Sequence, residues 1–174
     1  SNVVFASTVN SDGTQRALTV TNGNGDTTFS GVMGGSAPVK SLTITSDQLT
    51  AGAITLNGAL TATLANASTI SGVIANGGGG TASLVKAGNG TLTLSGANTY
   101  TGTTAINAGD LTVSGSLHDD TAVSIASNAD YNVNASDTVA SIEGAGDIVL
   151  ASGQTLTAGD GNNKTLSGVM SGAG

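Results

Sequence analysis

The chain predicts an all-β fold, a parallel β-helix (β-solenoid) of about seven or eight coils, on three observations. Short apolar-Thr-apolar triplets recur along its 174 residues, Gly and Asn cluster between them, and large aromatic side chains are nearly absent. Alternation with period two puts the aliphatic residues of each triplet on one face and the Thr on the other.

The triplets run in order Leu18-Thr19-Val20, Leu42-Thr43-Ile44, Ile54-Thr55-Leu56, Leu92-Thr93-Leu94, Leu111-Thr112-Val113 and Val123-Ser124-Ile125. Ile148-Val149-Leu150 departs, with an apolar residue in the middle. Turn signals separate them: Asn22-Gly23-Asn24-Gly25, Asn57-Gly58, Gly77 to Gly80, Gly88-Asn89-Gly90, Gly144-Ala145-Gly146 and Gly159-Asp160-Gly161. Gly and Asn tolerate the positive φ or close approach that tight corners need, an expectation attached here to Gly88, Gly90 and Gly102. A second unit, apolar-Ser-Gly-Val-apolar, recurs at unequal intervals: Phe29 to Met33, Ile70 to Ile74 and Leu166 to Met170. Unequal intervals suit a solenoid whose loops vary in length. The best helix window, Thr121 to Asp130, alternates with period two rather than 3.6. With roughly 20–25 residues per coil, the chain would make a rod of roughly 35–40 Å.

A β-sandwich is the competing architecture. It would show regular hairpin turns and a packed aromatic centre. The only aromatic residues here are Phe5, Phe29, Tyr100 and Tyr131, which favours a narrow, stacked core.

Residues 84–113, LVKAGNGTLTLSGANTYTGTTAINAGDLTV, carry the most specific pattern. Lys86, Gly88, Gly90, Thr91, Leu92 and Leu94 are followed by Gly96, Asn98, Tyr100, Gly102 and Thr104, then by Gly109, Leu111 and Val113. In order and spacing this stretch resembles the passenger-associated repeat of bacterial autotransporters. It departs at the turn Tyr100 to Thr104, which has one Gly where a pair is common, and at Asp110, where Thr is usual. The resemblance implies a right-handed parallel β-helix in a secreted bacterial surface protein. It implies no enzymatic activity, since such passengers carry varied functions on one scaffold.

Composition excludes several classes. Net charge is −7, and the basic residues are Arg16, Lys40, Lys86 and Lys164 alone. Phosphate neutralisation, and with it nucleic-acid binding, is not supported, and anionic membranes are equally poor partners. There is no Cys, so stability does not come from disulfides. No apolar run approaches the ~20 residues of a membrane span, so no membrane insertion by this chain is expected.

Candidate chemistry is sparse. His118-Asp119-Asp120 has the residue types for acid–base or metal work, but neighbouring residues in a turn point apart, and the stretch Ser114 to Asp120 reads as an exposed loop. Asp110, Asp130 and Asp147 each flank a strand, and the sequence shows no carboxylate pair of the kind polysaccharide hydrolysis needs. Asn22 to Asp26 and Gly159 to Asn163 resemble calcium-binding nonapeptides superficially, without the nine-residue repeat. The outward row Thr19, Thr43, Thr55, Thr93 and Thr112 suggests the hydroxyl arrays of ice-binding solenoids, but its spacing along the chain reads as too irregular, and Thr is simply well suited to an exposed strand face. The expectation is therefore no catalytic residues, no cofactor and no metal.

The functional expectation is a single solenoid segment, residues 1–174, of a longer or assembling protein. It would act as a stalk or fibre at the bacterial surface, extracellular or outer-membrane associated, with an adhesive role borrowed from the resemblance. Partners would be neighbouring repeats or identical subunits stacked end to end, because no capping coil is visible at either end. A self-assembling filament is the alternative, and a carbohydrate-binding or degrading module the weaker one.

Overall fold

A computed structural model describes every residue, Ser1–Gly174, and contains strands, turns and no helix. All strand pairing is parallel. The first sheet stacks nine strands, from Val3–Phe5 through Leu92–Leu94 to Met170–Gly172. The second stacks seven, from Ala17–Thr21 to Ser141–Gly144. A third face is pieced together from short pairs, Ile54–Leu56 with Ile74–Asn76 and Asp137–Val139 with Leu156–Ala158, and from isolated bridges such as Val9 to Met33. The path runs first sheet, third face, second sheet and back, giving a solenoid of about eight turns. Eight steps between nine strands make a rod of about 38 Å.

The triplets are strands in the predicted sense. Leu92, Thr93 and Leu94 pair with Ser68, Thr69 and Ile70 on one side and with Leu111, Thr112 and Val113 on the other. Leu92, Leu94, Leu111 and Val113 are fully buried, and the threonines face outward. Val149 takes the outward position of its strand and is 37% exposed, so the apolar middle of Ile148-Val149-Leu150 leaves the period intact. Each aliphatic side chain removed from water stabilises by about 1.5–3 kcal/mol, and the buried ones form one continuous cluster along the rod.

The apolar-Ser-Gly-Val-apolar unit turns a defined corner. Phe29 and Ile70 end strands of the first sheet, Met33 and Ile74 open the third face, and all four are buried. Glycine is required because a Cβ on Gly72 would lie 2.4 Å from the backbone N of Ala53 in the coil below. The third copy turns a different corner. Leu166 bridges Gly144 of the second sheet, and Met170 begins the last strand of the first sheet. The strand Leu156–Ala158 already occupies the third face in that coil, so the next apolar pair falls one corner later.

Both tyrosines are inside. Tyr100 shares a hydrogen bond with the Thr104 hydroxyl, and the Tyr131 hydroxyl donates to Asp137 at 3.5 Å. Burial pushes both phenols well above their ordinary value. The unfolded chain loses its phenolic protons above about pH 10, while the folded chain keeps them. Stability is therefore expected to fall as pH rises past about 10. With no Trp in the chain, tyrosinate absorbance should appear in one step with unfolding rather than as a separate titration near pH 10. A smooth titration of folded protein near pH 10 would refute this placement.

Candidate functional site

The segment 84–113 fills more than one coil, and three of its side chains link neighbouring coils. In the strand Ser83–Ala87, alternation sends Leu84 and Lys86 inward and Val85 outward. Lys86 thus enters a core column, with Ala62 on one side and Ile106 on the other. Its ammonium donates to the carbonyls of Ala87 at 3.1 Å, Gly88 at 2.8 Å and Ala108 at 3.0 Å. Three donors meet three acceptors, the last in the next coil's corner. Burial pushes this ammonium down to about 8, with Asp110 pulling the other way, so it remains charged at neutral pH.

Asn98 works at the next corner. Its Oδ1 accepts the backbone N–H of Ile74 at 2.9 Å, and its Nδ2 donates to the carbonyls of Gly96 at 3.0 Å and Ser116 at 2.9 Å. One buried amide thus serves three successive coils. The glycines behave as expected, by two routes. Gly88 has φ +74, whereas Gly90 and Gly102 are needed for space: a Cβ would stand 2.4 Å from the Asn66 carbonyl and 2.3 Å from the Ala82 carbonyl.

One expectation is corrected. Asp110, Asp130 and Asp147 do not stand singly. Asp110 pairs with Asp130, and Asp130 with Asp147, on adjacent strands of the first sheet. The unequal loops between them bring the three carboxylates into one column, at about 4.8 Å per step. Thr91 occupies the preceding position and its hydroxyl donates to Asp110 at 3.1 Å. Asp147 accepts the backbone N–H of Val169 at 2.7 Å. Asp130, in the middle, is pushed above the usual carboxylate range by burial and by both neighbours. A carboxyl raised in the folded state favours folding when protonated, and that contribution is lost as pH rises above the ordinary carboxylate value. Asp130→Asn is therefore expected to raise the melting temperature at pH 7 by a few degrees and to change it little at pH 3. Added salt should stabilise the parent more than the variant. Equal melting temperatures at pH 7 and low salt would show that the column carries no repulsion.

The ordered positions Lys86, Asn98 and Tyr100, the glycine corners and the two flanking strands decide the relationship. Residues 84–113 match the passenger-associated-transport-repeat family. Neither a curated protein nor a solved structure matches the chain. Residues 84–113 thus fit an autotransporter passenger repeat, carried on stacked parallel coils. Within the repeat, Lys86 and Asn98 satisfy backbone groups across coils, and Asp110, the departure from the usual Thr, begins the acidic column.

The remaining candidates are local. His118, Asp119 and Asp120 lie in a turn, where the Asp120 N–H donates to Nδ1 of His118 at 3.2 Å. The stretch from Ser114 is a coil corner rather than a wholly exposed loop, because Leu117 is buried and anchors it. The Leu117 N–H is held at 3.0 Å by Oδ2 of Asp137, the same role Asn98 plays for Ile74. Burial pushes the Asp137 carboxyl up, against the pull of its backbone donors. Sequence reasoning passed over Asp137; its signal was an acidic residue two positions before Val139, the apolar end of the strand Asp137–Val139, which marks nothing by itself. Asn22 to Asp26 and Gly159 to Asn163 are ordinary turns. Asn22 donates to the Asp26 carbonyl at 2.8 Å, and Asp160 accepts from the backbone and side chain of Asn162 at 2.9 and 3.1 Å.

Proposed function

We propose that residues 1–174 are a rigid stalk or fibre segment of a secreted bacterial surface protein, spacing and presenting its other parts. The observation that carries this reading is the continuous buried apolar cluster along the coils, with a passenger-associated-transport-repeat at residues 84–113 within it. A rod of this kind transmits position along its length and needs no reactive group. The role is non-enzymatic, and an adhesive contact would belong to the outer faces or to parts of the protein presented by the rod. Its place is outside the cell, at the outer membrane. Exchanging the segment, within the whole surface protein, for an unrelated solenoid of equal length should leave surface presentation and adhesion unchanged. Loss of adhesion with presentation intact would assign a binding role to this segment and overturn the stalk reading.

A second reading, end-to-end association with neighbouring repeats or identical subunits, has its own observation. Core side chains are incompletely covered at both ends: Phe5 and Leu18 at one, Leu150 and Leu156 at the other. Val4 at 60% and Met170 at 59% exposure lie on the two edge strands of the first sheet. Edge strands present unpaired donors and acceptors that a further parallel strand satisfies. Sedimentation of the 174-residue chain should show association that grows with concentration; a monomer at all concentrations counts against it.

A further inference from the structure

The threonine row of the sequence separates, in the fold, into different faces. Thr55 lies on the third face, and Thr93 and Thr112 lie on the first sheet. Thr19 and Thr43 lie on the second sheet, and there they are part of a larger array. Thr19 pairs with Thr43 and Thr43 with Thr61, while Thr21 pairs with Thr45 and Thr45 with Thr63. Three adjacent strands each present Thr-x-Thr outward, in register. The irregular spacing along the chain is absorbed entirely by the loops.

We propose that this face of the second sheet is an ice-binding surface. The six threonines form a rectangular net of about 4.8 Å across strands and roughly 6.6 Å along them. None of the six hydroxyls is engaged in a side-chain hydrogen bond, so all are free for water. Each hydroxyl sits beside a γ-methyl, and evenly spaced methyls order the water between them while hydroxyls anchor it. The six net positions carry no charge although the chain carries −7; within the sheet they are bordered by Ala17, Ser41, Ala59, Ser83, Val85 and Ala87, and the nearest carboxylate along the strands is Asp47, two residues beyond Thr45.

Other occupants fit less well. Sugar rings stack on aromatic side chains, and this face has none. Ionic ligands find no counter-charge. A second copy would gain an area on the order of 200–300 Å² from three strands, against about 800 Å² per partner in stable interfaces. A crystalline ligand needs only commensurate repetition, which is what the net offers. The first sheet supplies an internal contrast. Its three-residue strands present one outward residue each at Thr28, Thr50, Thr69 and Thr93, and the five-residue strand that adds Thr112 presents Asp110 beside it, so these threonines make a single row rather than a net.

The test freezes a solution of the purified chain slowly onto a cold probe and measures how much protein enters the ice. The chain is expected to be enriched severalfold in the ice over a non-binding control protein and to slow recrystallisation of fine-grained ice. Thr43→Lys, at the centre of the net, should reduce enrichment to the control level. Thr93→Lys, on the first sheet, should leave it unchanged. Should Thr43→Lys fail to fold by circular dichroism, Thr61→Lys serves in its place. Exclusion of the unmodified chain from ice, or equal enrichment of both lysine variants, would overturn the proposal.

Discussion

Gly90→Val is expected to destabilise the chain by about 2–3 kcal/mol, read as a lower denaturant midpoint with unchanged slope. A Cβ at this position would meet the carbonyl oxygen of Asn66 at 2.4 Å and its amide nitrogen at 2.6 Å. Both are backbone atoms of the coil below, so no side chain can swing aside. Gly90 is also tied there directly, its N–H donating to the Leu64 carbonyl at 2.9 Å. Relieving the clash means pushing two coils apart where Leu92 and Ser68 pair. Gly78→Ala is the control. It has open space around it and no positive φ, so it should be neutral or stabilise by up to about 1 kcal/mol. A neutral Gly90→Val would mean that the corner is slack and that coil spacing is set by the strands alone.

The same corner shows how far the sequence could be read. For the seven triplets named from the sequence, strand and inward side followed from alternation alone, because period two is a property of neighbouring residues. Leu92, Leu94, Leu111 and Val113 were legible for that reason, and so was the demand for glycine at Gly88, Gly90 and Gly102. What depends on stacking was hidden. Asp110, Asp130 and Asp147 lie on strands separated by unequal stretches of sequence, and whether they share a column depends on residues absorbed at each corner. One residue more in any of those stretches would send a carboxylate to the opposite face. The threonine net was obscured by the same mechanism in reverse: irregular in the chain, regular in space. The Leu166 to Met170 unit shows that even a faithful motif does not name its corner, since the preceding strand decides where it falls.

Charged residues are hard to place for a different reason. Lys86 alternates as an inward residue, in phase with Leu84, yet an ammonium is expected to face water. Its placement makes sense only with the carbonyls of two stacked corners in view.

Lys86→Met is expected to cost about 1–3 kcal/mol, because three part-buried carbonyls lose their donor while relief of the buried ammonium offsets part of the loss. The thioether chain fills most of the same column between Ala62 and Ile106, so the packing change is small and the hydrogen bonds dominate. The carbonyls of Ala87 and Gly88 belong to one coil and that of Ala108 to the next, so the variant should loosen the stacking of two coils. Hydrogen exchange should then accelerate at the amides of Gly88 to Thr91 and Asn107 to Asp110 before it does elsewhere. Lys40→Met removes an exposed lysine with no side-chain hydrogen bond and should stay within about 0.5 kcal/mol of the parent. If the two variants were equally mild, the Lys86 carbonyls would have to be satisfied by water, and the repeat's lysine would be a passenger in its own core rather than the clasp between coils.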